Sequence, residues 1–81
     1  MVIEYKSKAA KAIEACDSST RHRLKIAIEK LPDGDVKKLK GRSDYRLRVG
    51  DLRVLFERNN DRIIIKAVLP RGQAYKGRGK Q

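Results

Sequence analysis

The chain reads as an α+β domain: a helical hairpin followed by a small antiparallel sheet, with the helices packed on one sheet face. Three observations predict this. Apolar residues recur at helical spacing from Ser7 to Leu31. From Ser43 onward they alternate with polar ones at the two-residue period of a strand. Two turn signals, Gly50-Asp51 and Asn59-Asn60-Asp61, then divide the second half into hairpin-linked strands. Helices grouped ahead of a meander segregate to one side of it, because each element has one apolar face to bury.

Val2 to Tyr5 is the first expected strand, with Val2 or Ile3 pointing inward. Ser7 to about Cys16 is rich in Ala and Lys, which favours helix, and Ala9, Ala10, Ile13 and Cys16 make a thin apolar stripe. Asp17, Ser18 and Ser19 offer N-caps for a second helix. Leu24, Ala27, Ile28 and Leu31 form its buried face, and Pro32-Asp33-Gly34 ends it. So little chain between the two helices implies an antiparallel hairpin. Asp35 to Arg42 reads as a connector anchored by Val36 and Leu39.

Ser43 to Glu57 is the organising stretch. Tyr45, Leu47, Val49, Leu52, Val54 and Phe56 fall on one side, and Arg46, Arg48, Arg53 and Leu55 on the other. Gly50-Asp51 suits a two-residue type II′ turn, since glycine takes positive φ at low cost. That turn sets Val49 opposite Leu52, Arg48 opposite Arg53, Leu47 opposite Val54 and Arg46 opposite Leu55. Like charges facing each other on a sheet are destabilising. Three arginines on one patch, with no carboxylate among them, therefore read as a surface for an anion. A solvated outer face is the bland alternative.

Arg62 to Val68 is the third meander strand. A two-residue turn before it puts Ile63, Ile65 and Ala67 on the Phe56 face, and Ile64, Lys66 and Val68 with the arginines; a three-residue loop reverses this. Lys66 is thus a conditional member of the basic patch. Pro70-Arg71-Gly72 breaks the strand, and residues 77–81 are expected to form a flexible tail. No repeat or linker splits the chain, so residues 1–81 are expected to form one domain. The order expected is β-α-α-β-β-β.

Composition narrows the function. Lys and Arg number 21 against 10 Asp and Glu, a net charge of +11, which favours nucleic acid, an anionic membrane or an acidic protein as partner. No basic amphipathic helix with bulky apolar anchors supports the membrane option. With aromatics at 5% and no Trp, base-stacking platforms are scarce. Lone Cys16 excludes an internal disulfide and a cysteine-based zinc site, and a free thiol suits a reducing cytosol. The opening MVIEYKSKAA does not read as a signal peptide. Neither a metalloprotease HExxH, a nucleophile elbow, a phosphate-binding glycine loop nor a Cys–His pair is present.

VKKLKG, YRLRVGDLRVLFE, the apolar strand after them and RGQAYK closely resemble the RelE/ParE superfamily of bacterial toxins from toxin–antitoxin pairs. The resemblance implies a RelE-like fold over nearly the whole chain. It also implies a cytoplasmic, ribosome-dependent endoribonuclease that cuts messenger RNA in the A site without metal or cofactor. Arg46 and Arg48 match the basic pair on the first meander strand, Arg53 the arginine on the next, and Arg71 and Tyr75 the C-terminal elements. Arg48, Arg53 and Tyr75 are the catalytic candidates; Arg46, Arg71 and Lys66 are candidates for RNA or phosphate binding. Tyr75 would serve as proton donor, base or stacking platform, since arginine is a poor base. The implied partners are the ribosome, its message and a small, acidic, RelB-like antitoxin in a hetero-oligomer. ParE-like relatives instead inhibit DNA gyrase without nuclease chemistry. The chain departs from some relatives in carrying His22 on the second helix, away from Tyr75, and Leu69 and Pro70 where others have basic residues.

Overall fold

The computed structural model describes residues 2–39 and 44–70. Their elements are β1 (Val2–Tyr5), α1 (Ser7–Glu14), α2 (Ser18–Glu29), β2 (Val36–Lys38), β3 (Asp44–Val49), β4 (Leu52–Asn59) and β5 (Arg62–Pro70). The sheet order is β1-β5-β4-β3-β2. β1 runs parallel to β5, and every other pair is antiparallel. The predicted α+β arrangement is present, with one strand beyond those expected. Val36–Lys38, read as part of a connector, pairs with β3 as the short edge strand β2.

The helices pack where the apolar patterns placed them. Asp17 caps α2 by accepting a hydrogen bond from the Thr20 N–H at 3.2 Å. The Thr20 hydroxyl and N–H hold its carboxyl below the ordinary carboxylate range. Ala9 of α1, Leu24 and Ile28 of α2, and Leu31 just beyond it pack on Leu47, Val54, Phe56, Ile63 and Ile65 of the sheet. Tyr45 stacks on Phe56, with ring centroids 5.4 Å apart. Ile3 is the β1 residue that packs on this core, while Val2 is exposed.

Both hairpin turns hold two residues. Gly50 has φ +59° and Asn60 φ +57°, the positive values such turns require. A Cβ at Gly50 would stand 2.8 Å from the Arg23 guanidinium, which would have to move aside. The β3–β4 register is the one the tight turn dictates: Arg48 pairs with Arg53 and Leu47 with Val54.

One prediction fails in β5. Leu55 pairs with Ala67 but Phe56 pairs with Ile65, so Lys66 is an extra residue, a β-bulge. The insertion reverses the alternation beyond it. Val68, opposite Val54, therefore joins the core side, and Ala67 moves to the arginine side.

Candidate functional site

The sheet face opposite the helices carries the predicted arginines. Strand parity places Asp44, Arg46 and Arg48 of β3 there, beside Arg53, Leu55 and Glu57 of β4. Among the described residues, no helix lies over this face. Lys37 of β2 stands opposite Arg46. The Arg48 N–H donates to the Asp35 carbonyl at 3.0 Å, which continues the β2–β3 pairing by one residue.

The three guanidinium groups are not equally reachable. Half of the Arg48 side chain is exposed, against 14% for Arg46. Arg53 as a whole residue is 4% exposed. Arg48 is therefore the group of the three that an incoming anion meets first. Arg53 opposes it at the depth of the sheet, where the low dielectric strengthens its field.

A carboxylate also stands among the arginines, where none was expected. Asp35 lies 3.9 Å from Arg46 Nη2 through one oxygen and 3.9 Å from Arg48 Nη1 through the other. Asp44, its carboxylate 5% exposed, accepts from Lys66 Nζ at 3.1 and 3.3 Å. Lys66 is thus on the basic side, as a two-residue turn predicts, and held by Asp44. The sequence signal for Asp44 was its position two residues before Arg46, which strand parity puts on the same face. Asp35 gave no such signal, because β2 has only three residues to show a pattern. Glu57 makes none of the described ion pairs, and Arg62 pairs with Glu4 of β1 at 3.3 Å.

Arg48 also lines a cleft of about 330 Å³ at the β3 edge, together with Arg23 and Lys30 of the α2 region and Asp33 and Asp35. His22 is exposed on α2, on the helix side of the sheet. Arg71 and Tyr75 lie outside the described residues, as does the tail at 77–81. Among the described residues no group of three or more His, Cys, Asp or Glu could hold a metal ion. No described helix is long and apolar enough to cross a membrane. Chemically, the face offers a planar, permanently charged fork with further positive charge beside and behind it. Such forks match phosphate oxygens in pairs.

The family described as "ParE toxin of type II toxin-antitoxin system, parDE" matches residues 3–75. The protein "Toxin RelE3" of Methanocaldococcus jannaschii is 39% identical over 64 residues, spanning 68% of this chain and 73% of that protein. A chain of the RelB-RelE antitoxin-toxin complex from Methanococcus jannaschii superposes with a TM-score of 0.76 at 30% identity, covering 94% of this chain and 99% of that one. One from the archaeal RelE-RelB complex of Pyrococcus horikoshii OT3 gives 0.72 at 27% identity, over 89% of this chain and 96% of that one.

Proposed function

The chain belongs to the RelE/ParE superfamily of type II toxins, and from that premise we propose that it halts translation by cutting messenger RNA on the ribosome. The observation that carries this reading is Arg48: a half-exposed guanidinium on the face that no described helix covers, with Arg46 beside it and Arg53 across from it. The match to "Toxin RelE3" and the likeness to two RelB–RelE complexes favour the nuclease over gyrase inhibition. They equally support a cognate antitoxin as partner, which a chain of net charge +11 would attract through acidic residues.

In the proposed reaction the 2′-oxygen of the nucleotide attacks the adjacent phosphorus. The new P–O bond forms as the bond to the 5′-oxygen breaks, leaving a 2′,3′-cyclic phosphate and a 5′-hydroxyl. One proton leaves the 2′-hydroxyl and one reaches the 5′-oxygen, so no metal is needed for balance. Arg48 binds the phosphate oxygens as negative charge builds on them, and Arg53 adds its field from below. Arg46 and Arg71 hold neighbouring phosphates, and Tyr75 moves a proton or stacks on a base. Lys66 is a weaker phosphate ligand than its position suggested, since Asp44 already engages it. The ribosome orders the substrate in line, which makes modest acid–base equipment sufficient.

The test is expression of the chain without antitoxin in a translating extract, with RNA ends mapped on ribosome-bound message. New ends inside A-site codons are expected. Intact message together with blocked DNA supercoiling would replace the nuclease with the gyrase inhibitor.

A further inference from the structure

Two clefts lie end to end along one flank of α2, and both include Arg23 and Val49. One, of about 330 Å³, is walled by Ile26, Ala27 and Lys30 of the α2 region and by Leu47 of β3. The other, of about 400 Å³, is walled by Ala15, Cys16 and Thr20 on the helix side and by Leu52 of β4. Thr20, Arg23, Ile26, Ala27 and Lys30 follow one another at three- and four-residue steps, the spacing of a single helix face. The clefts thus make one groove between α2 and the end of the β3–β4 hairpin, about 15 Å long at the rise of a helix. Arg23 lies across its middle, with its guanidinium against the Gly50 turn. We propose that this groove seats the cognate antitoxin: an acidic segment lays an aliphatic side chain over Ile26 and sets carboxylates on Arg23 and Lys30. This rests on the toxin–antitoxin reading given above.

The occupant's chemistry follows from the walls. Ile26 is 42% exposed, the one described large apolar side chain of α2 that lies so open, and it shares its cleft with Leu47 and Val49. Arg23 and Lys30 stand about one turn to either side of it, are exposed, and make none of the described ion pairs. Asp33 and Asp35 line the same cleft, but Asp35 already faces Arg48 at 3.9 Å. The charge left for a partner is therefore positive, set on both sides of an apolar floor. An amphipathic acidic segment matches that pattern, as helices laid into grooves generally do. Among the described residues no aromatic ring lines either cleft, so a nucleobase has nothing to stack on and RNA fits less well. Arg48 lines the Lys30 end and also belongs to the arginine face, so a seated segment competes with RNA for it.

The probe is the purified product of the reading frame next to this chain's own, titrated against the parent, Ile26→Asp, Arg23→Glu and Lys11→Glu. Ile26→Asp sets a charge against the apolar contact and should weaken binding by about thirtyfold, the usual loss at an interface hot spot. Arg23→Glu should weaken it about tenfold at low salt and less as salt rises, since it acts through charge. Lys11→Glu makes the same change of charge on exposed α1, outside the groove, and should cost under about threefold. Melting temperatures should match the parent's, because all three side chains are exposed. Single-turnover cleavage by Ile26→Asp and Arg23→Glu should also match, since neither residue lies on the arginine face.

Loss of binding confined to the two groove variants, with cleavage intact, supports the proposal. Parental affinity in both, or an equal loss in Lys11→Glu, overturns it. Cleavage that falls in step with binding also overturns it, for the groove would then belong to the RNA site. Should Ile26→Asp melt early, Arg23→Glu measured against Lys11→Glu decides alone. If the parent cuts nothing, the nuclease reading fails while the binding arms still decide the groove. If the neighbouring product does not bind the parent, the antitoxin premise and the groove fall together.

Discussion

Arg48→Ala should slow cleavage of ribosome-bound message by about a hundredfold, the typical effect of removing one preorganised charge-stabilising donor. The side chain is half exposed and its described ion pair is a long one to Asp35, so its loss should leave the fold intact. The melting temperature of the variant should thus match the parent's. Arg48→Lys separates charge from geometry: it keeps the positive charge and loses the planar fork, so its rate should fall between the two. Single-turnover cleavage with ribosomes in excess reads the effect directly. A rate within twofold of the parent for the alanine variant would remove Arg48 from the chemistry.

Phe56→Ala should instead destabilise the fold strongly. The ring is 1% exposed, seated among Leu47, Val54, Ile63 and Ile65, and stacked on Tyr45. Truncating a buried Phe typically costs about 3–5 kcal/mol. A chain of 81 residues has about 4–12 kcal/mol of stability in total, at the usual value per residue. The substitution therefore removes a large part of the whole, and the melting temperature should drop by about 15 °C or more. Thermal unfolding followed by circular dichroism checks it, and a drop under about 5 °C would mean that the core collapses around the gap far better than its packing suggests.

The parts of the fold that were legible in the sequence are those set by near neighbours. Gly50-Asp51 allows a two-residue turn, and once the turn is fixed the pairing of Arg48 with Arg53 follows without further information. Asp17 announces α2 because its cap bond reaches only to Thr20. The missed features depend on contacts the local pattern does not encode. Nothing in RIIIKAV marks Lys66 as the inserted residue, because the slip arises from how β5 docks against β4. β2 is too short for its period to be seen, and it exists because the β3 edge is there to receive it.

The described part of the candidate site was legible to the same degree and for the same reason. Parity put Arg46, Arg48 and Arg53 on one face, and they are there. Parity says nothing of depth, so it could not tell half-exposed Arg48 from buried Arg53. Nor could it bring Asp35 to Arg46 and Arg48 from eleven and thirteen positions away. That approach depends on the edge pairing of β2.

The most direct test is to titrate isotope-labelled protein with a short single-stranded RNA and follow its amide resonances. The basic residues Arg21 and Lys25 on α2 are exposed too, so the helix side is a genuine competitor for a polyanion. Shifts centred on Arg46 and Arg48 of β3 and on the facing residues of β4, weakening as salt is raised, are the expected result. Shifts confined to α1 and α2, with β3 and β4 unmoved, would contradict it.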